Sequence, residues 1–528
     1  MGGCFFVTMV RYPCEEDRMY RSAIIVSYMA LFALSLTVCL WGNDFPIAYN
    51  ADEPGKVLQV TGEFKRNHRH PPLLLDTSWI VHKLSGRSNE IPQVVASGRL
   101  VSAIAATTTA VLLTALSHWV GGPLAAILVG LMVGLCPSLA VFAHYMKEDT
   151  LLTLGLIAIV VTATLHAVKN RWWTAALLGG ACVIAVMAKY IGIIGLVPAL
   201  YVLLTGLKTL GRKQRWQVLL AFVLALIASL ALLGYHWWAD WSAAISGVTY
   251  EWHHVRVGHF DLKYTMLGTL RFYLIDFAWE LQYWPLLPGI VGMVWLSRSV
   301  KLKIRMAARV SLILCVCYCL LLILGHVAES RYALAAVVLI SWFAAMCMAQ
   351  WVGRLQTSPQ CRRWRIVCCV LVASFFGYRA YQVMYQFTHD GRDAMGQWVQ
   401  AHLGASDYLV EDMYCAMPDQ HFPLQVKLYG KWAPKIRMKR YAADFGTVEQ
   451  LRAKGVTHIA ICSYSYQRFL DDDGKLPTST KPEDLARLEH YRQFYRQLVE
   501  SELPVWQHEP RYNLPGLTSP RLMIFRLP

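Results

Sequence analysis

Apolar runs long enough to cross a bilayer recur from Ser22 to Met384, and they restrict the fold more than any other feature of the chain. A helix needs roughly 20 apolar residues to span the hydrocarbon core, and inside that core every backbone N–H and C=O must find its partner within the protein. Spans can be drawn at Ser22 to Trp41, Val94 to Leu116, Pro123 to Ala143, Thr150 to Val168, Trp172 to Ala188 and Ile191 to Leu207. Others follow at Trp216 to Trp237, Trp284 to Ser297, Val310 to Gly325, Tyr332 to Val352 and Ile366 to Met384. The pattern predicts a polytopic α-helical membrane protein with about 11 transmembrane helices. Composition agrees, with 56% of the 528 residues hydrophobic and only 16% charged. The first run ends in Trp41-Gly42-Asn43-Asp44, a poor cleavage site for a small-residue peptidase, so it reads as a retained anchor.

The net charge of +16 does not point to nucleic acid, because the cations are not gathered into a basic domain with interleaved aromatics. They fall in four connections between apolar runs, at Lys169 and Arg171, Lys208 to Arg215, Arg298 to Arg309, and Arg354 to Arg365. The positive-inside rule makes these cytoplasmic. The N-terminus is then inside, and an odd number of spans puts the C-terminus outside. Four polar stretches share that outer face: Gly42 to Pro92, His144 to Asp149, Ala239 to Tyr264, and the junction around Glu329 to Tyr332, joined by the corner at Lys189. No internal repeat supports an inverted-repeat transporter.

From Thr388 onward the composition turns polar. We expect a transmembrane catalytic domain over residues 1–387, its outer loop 42–92 carrying interfacial helices, and an extracytoplasmic α/β domain over residues 388–528. Within the latter, Thr457 to Ser463 and Leu522 to Phe525 read as strands, Leu485 to Glu500 as a helix, and Gly455 as the stop of a short helix beginning near Thr447. Most of the fourteen cysteines lie in apolar runs without metal-site spacing. Cys415 and Cys462 alone lie in the polar region, where an extracytoplasmic location would permit a disulfide.

Candidate chemistry gathers on the outer face. Asp52-Glu53 opens a stretch, Asn50 to Lys65, that reads as a helix lying along the membrane, with both carboxylates at the water boundary. Asp149 ends the turn His144-Tyr145-Met146-Lys147-Glu148-Asp149; it is either a dipole partner at a helix start or, with Asp52 and Glu53, part of a carboxylate cluster for a divalent cation, Mg or Mn, or for an acceptor. Lys189 and Arg331 are either interfacial anchors or cations that hold a lipid phosphate, with His70 and Tyr332 beside them as binding candidates. Arg66 and Arg69 are weaker candidates, and Arg99 reads as a residue that holds loops or helices together. The aromatic stretch Tyr235 to Tyr264 suits headgroup anchoring, with sugar stacking as the other use.

Taken in order, Asp52-Glu53, His70-Pro71-Pro72-Leu73, Arg99-Leu100-Val101-Ser102, the turn ending at Asp149, Ala188-Lys189-Tyr190-Ile191-Gly192 and Glu329-Ser330-Arg331-Tyr332 resemble the GT-C superfamily of polyprenyl-phosphate-dependent glycosyltransferases. The similar branch contains protein O-mannosyltransferases and lipid A aminoarabinose transferase. The resemblance implies an inverting glycosyltransferase that moves a hexosyl or pentosyl group from a polyprenyl-phosphate-linked sugar donor to a lipid, glycan or protein acceptor outside the membrane. It implies Asp52 as the base, Glu53 and Asp149 in support, Lys189 and Arg331 on the carrier phosphate, and a multi-pass location in a bacterial inner membrane. Whether a metal takes part is left open. A Trp-Trp-Asp-Tyr-Gly motif is absent from the sequence, which argues against whole-glycan transfer to asparagine. A lipid-linked oligosaccharide ligase or polymerase, and a transporter or flippase of lipid-linked substrates, are the competing readings.

Overall fold

The computed structural model describes residues 15–258, 264–276, 285–354, 359–421, 423–470, 482–512, 514 and 518–527. Over the described residues each expected span falls on helix, Trp284 lying outside them, but the helices are not alike. Among the described residues, seven helices are long and apolar enough to cross a membrane: Ile91–Gly121, Asp149–Lys169, Tyr190–Leu207, Arg212–Leu233, Leu302–Leu324, Ser330–Gly353 and Arg365–His402. An eighth is reached if Pro123–Gly134 and Pro137–Ala143, bent by 50° at their junction, count as one span. Pro137 has no N–H to continue the preceding helix, which accounts for the break. Ile24–Leu40, Trp172–Ala188 and Leu286–Leu296 are shorter apolar helices. Seven or eight helices among the described residues satisfy length and composition by themselves, and the expected count of 11 requires the three shorter ones as well. An apolar run in sequence does not reveal where a proline or a helix end will shorten it.

Burial separates the spans by role. The best 18-residue window of Ser330–Gly353 is 83% buried within the protein, that of Arg212–Leu233 only 11%. The latter leaves Leu220, Leu224, Ile227 and Leu232 more than half exposed, as a lipid-facing helix should. Two glycines set a close helix packing near Lys189. A Cβ on Gly155 would lie 2.5 Å from the Ala185 Cα, and one on Gly192 would lie 2.1 Å from the Ala185 carbonyl oxygen. Only hydrogen fits at either place, so the Asp149–Lys169 helix and the turn after Lys189 both press against the end of Trp172–Ala188.

The loop before the Ile91–Gly121 helix folds onto protein. Its helix, Glu53–Thr61, begins with proline in its first turn and ends at Gly62, whose φ of +84° suits glycine. Val57, Leu58 and Val60 are buried against the protein, so the apolar face of this helix is covered by the chain itself. An amphipathic pattern identifies a buried face without identifying what covers it. Phe64 alone of that apolar set is exposed.

The C-terminal region forms a five-stranded sheet in the order β2-β1-β3-β5-β4. Its strands are β1 (Tyr408–Asp412), β2 (Lys435–Lys439), β3 (His458–Cys462), β4 (Trp506–His508) and β5 (Leu522–Arg526). β1 runs parallel to β2 and β3, and β5 runs antiparallel to β3 and β4. Every residue of β3 is buried, as a central strand covered on both faces requires. The helices Val448–Ala453 and Pro482–Ser501 match the sequence reading, with Gly455 at φ +74° after the first. β1, β2 and β4 lay outside that reading, because short strands give weak periodicity. Polar contacts join the helix Gly391–His402, which precedes this sheet, to the loop before Ile91–Gly121. Arg392 donates to the Tyr49 carbonyl at 3.0 Å, and the Tyr49 hydroxyl donates to Asp393.

Candidate active site

At the boundary between the helices and the sheet lies a cavity of about 1040 Å³. Asp52, His70, Asp149, Arg331 and Tyr332, all expected from sequence, line it. Lys56, Lys147, Glu148, Glu251 and Glu329 do so as well, and the sheet side supplies Tyr414, Tyr464, Arg440 and Arg468. Glu53 and Lys189 are not among its lining residues.

The adjacent carboxylates Asp52 and Glu53 have opposite environments. Asp52 precedes the Glu53–Thr61 helix and keeps 51% of its side chain exposed. Its Oδ2 pairs with the Lys147 ammonium and lies 3.6 Å from Arg331 Nη1. Glu53 is fully buried. Arg99 donates to Glu53 Oε1 from Nε at 3.1 Å and to Oε2 from Nη2 at 2.6 Å, and the Met146 amide donates to Oε1 at 2.7 Å. The remaining Arg99 Nη1 donates to the carbonyls of Asn43 and Phe45, both at 2.8 Å. Glu53 therefore ties the outer loop, the second span and the 144–149 turn together, and it has no free oxygen edge for substrate. That corrects its expected place at the water boundary. The reading of Arg99 as a holding residue matches this geometry.

Asp149 accepts from Lys189 Nζ at 2.8 Å. The same ammonium sits 4.3 Å from the centre of the Tyr332 ring, and Arg331 lies 5.3 Å from that ring. Lys189 is thus engaged one layer behind Asp149 rather than open to the cavity. Lys56, one helical turn beyond Asp52, pairs with Glu148. Burial pulls Lys56 down to about 7, and burial likewise holds Lys147 well below the usual ammonium range, with Arg331 adding repulsion. His70 is also pushed well below its ordinary value by burial, with Lys56 and Lys189 adding repulsion, which leaves it neutral at pH 7. Its Nδ1 lies 3.9 Å from Glu251, a carboxyl that burial pushes up. Of the weaker candidates, Arg66 pairs with Asp76 at 2.5 Å, and Arg69 stacks over Tyr250 at 4.2 Å.

The carboxylates do not fit a metal site. Asp52, Glu53 and Asp149 each face a different cation, and among the described residues no group of three His, Cys, Asp or Glu side chains is placed to hold an ion. The expected cluster for Mg or Mn is therefore not assembled. Lysine and arginine occupy the positions beside the carboxylates.

Sequence reasoning did not single out Lys56, Lys147, Glu148 or the sheet-side residues. Lys147 stood within a quoted motif, but its direction toward Asp52 depends on the fold of the preceding loop. The aromatic stretch divides between two uses. Trp238, Trp241 and Trp252 are exposed, whereas Tyr250, Glu251 and His254 on the same Trp241–Val257 helix line the cavity.

Residues 69–235 match the family model of dolichyl-phosphate-mannose-protein mannosyltransferases. The crystal structure of ArnT from Cupriavidus metallidurans in the apo state superposes with a TM-score of 0.53 at 13% identity, covering 96% of this chain and 98% of that one. Residues 69–235 are thus similar to that family, and the chain shares its fold with ArnT. Among further similar structures, the same ArnT bound to undecaprenyl phosphate gives a TM-score of 0.49 at 12% identity, covering 95% and 98%. The archaeal oligosaccharyltransferase AglB from Archaeoglobus fulgidus, in complex with an inhibitory peptide and a dolichol-phosphate, gives 0.49 at 11%, covering 84% and 70%. No curated protein sequence matches the chain. Its several membrane-length apolar helices make the protein a multi-pass membrane protein.

Proposed function

We propose that the protein is an inverting glycosyltransferase that moves a sugar from a polyprenyl-phosphate carrier to an acceptor hydroxyl on the outer side of a bacterial inner membrane. The observation that carries this reading is Asp52, an exposed carboxylate in a cavity whose nearest charged neighbours are cations. In the reaction, Asp52 takes the proton of the acceptor hydroxyl as its oxygen attacks the anomeric carbon, and the carrier phosphate departs from the opposite face. A phosphate leaving group needs positive charge more than it needs an acid. Lys147, Lys56 and Arg331 line the cavity and supply it; Lys189 acts one step removed, by fixing Asp149 and Tyr332. His70, neutral and beside Glu251, is available as a hydrogen-bonding group for the sugar.

The topology belongs to the same reading. It counts the three shorter helices as spans, to make 11 in all, with a cytoplasmic N-terminus and residues 388–528 as an extracytoplasmic domain. Sheet-side groups then close the cavity over the membrane surface. The test supplies the purified protein with radiolabelled polyprenyl-phosphate sugars and total membrane lipid. Wild type should transfer label, and Asp52→Asn should lower the rate by about 10³-fold while melting at the same temperature. Transfer from no donor, or full activity in Asp52→Asn, sinks the proposal.

A further inference from the structure

Two cysteines of the C-terminal region meet beside the cavity. Cys415 ends the short turn Met413–Cys415 after β1, and Cys462 ends β3, the strand paired with β1. Both are buried as free thiols in one apolar cluster with Met395, Leu409, Ile436 and Ile524, with the Cys415 thiol against the Cys462 sulfur. Their chain neighbours face the cavity. Met413 and Tyr414 precede Cys415, Ser463 and Tyr464 follow Cys462, and all four line the cavity wall. The Tyr414 and Tyr464 rings meet edge to face with centroids 6.0 Å apart.

We infer that Cys415 and Cys462 are joined by a disulfide in the mature protein, a staple that fixes the sheet-side wall of the cavity. The inference rests on the outer location proposed above, since such bonds persist in oxidising compartments. The two thiols lose two protons and two electrons to a disulfide-bearing oxidant, which leaves as two thiols. Exchange requires access to the sulfurs, so the bond forms while the region folds, before both are buried. With the bond made, the segments after β1 and β3 cannot separate, and Tyr414 and Tyr464 keep their mutual position when a substrate enters.

A second thiol contact serves as an internal control. Cys315 and Cys319, both free thiols, lie one turn apart on the Leu302–Leu324 helix, inside a candidate membrane span. Residues on one helix turn and within lipid are poorly placed for cross-linking, so this pair should stay reduced.

The experiment alkylates the full-length protein in SDS with a light maleimide, taken directly from cells without reductant, then reduces it and adds a heavy maleimide before mass spectrometry. Cys415 and Cys462 should carry the heavy label in most molecules, and Cys315 and Cys319 the light one. In Cys415→Ser, Cys462 should switch to the light label. Light label on both cysteines in wild type overturns the bond, as does a heavy Cys462 in Cys415→Ser. Sidedness is read separately by Ala405→Cys, an exposed position, with a membrane-impermeant maleimide on intact cells. Labelling there together with free Cys415 and Cys462 removes the disulfide alone. Labelling only after permeabilisation removes the outer location, and the mass spectrum still decides the bond.

Discussion

On the helix side of the cavity, acids are held by cations: Asp52 by Lys147, Glu148 by Lys56, Asp149 by Lys189, and Glu53 behind them by Arg99. Behind the sheet side, the buried Asp412 is held by neutral donors. It accepts from the Tyr495 hydroxyl at 2.7 Å and from the amides of Ala442 at 2.7 Å and Cys462 at 3.1 Å, and burial pushes it up to about 7. The first wall is a set of exchangeable charges, in which an incoming anion can compete for a cation. The second is a frame whose acid takes up a proton instead of a partner. Under the proposed function, the paired acids of the helix side would meet the substrate, and the frame around Asp412 would hold the shape of the sheet side.

Breaking the deepest helix-side pair should have the largest effect. Glu53→Gln or Arg99→Met leaves a charge buried without its partner, at about 3–5 kcal/mol. Detergent-extracted protein should aggregate or melt far earlier, whereas the double change Glu53→Met with Arg99→Leu should recover much of the folded fraction. Equal folding of the single and double variants would remove the locking role of this pair.

The contrasting frame is tested by pH. The folded carboxyl of Asp412 titrates near 7 and the unfolded one near its ordinary value of 3.8, so the folded state binds the extra proton between them. Its contribution to stability is full below about 4 and is lost as pH rises through 7, a span worth at most about 4 kcal/mol. Melting temperatures measured from pH 4 to 8 should show a downward component that flattens in Asp412→Asn. An unchanged slope would mean that Asp412 is ionised in the folded protein.

A smaller loss is expected from Lys189→Ala, about 2 kcal/mol, because Asp149 keeps its buried place without the ammonium. Asp149→Asn added to Lys189→Ala should restore melting without restoring transfer, and a double-mutant cycle would give the coupling. Additive losses would separate the two residues. The smallest effect concerns Lys56. As pH rises through about 7 it loses its charge, so the KM for the donor should rise by up to about tenfold, equivalent to 1.4 kcal/mol. Lys56→Met should abolish that rise and leave a constant, higher KM.

How much of this could be read beforehand follows from the range of each interaction. Apolar runs, the helix start at Asp149 and the corner at Lys189 are local patterns, and all appear where the sequence puts them. The grouping of Asp52, Asp149 and Arg331 followed from sidedness alone. Sidedness could not distinguish Asp52 from Glu53, because exposure of one and burial of the other depend on Arg99, 46 residues away. Nor could it find Arg468, which reaches Glu329 at 3.4 Å from a helix of the sheet region. A metal cluster was a fair expectation for three acids on one face. The lysines and arginines that displace it come from four separate segments.

Arg99 also bears on how the protein is assembled. It lies near the start of the Ile91–Gly121 span, where a guanidinium entering lipid alone meets part of the barrier of roughly 2.5–3.5 kcal/mol that it would meet at the bilayer centre. Its partners, Glu53 and the carbonyls of Asn43 and Phe45, are all synthesised before it. The loop can therefore be waiting at the surface when this segment inserts, so a chain with a damaged first loop would stall at the insertion step before any cavity exists.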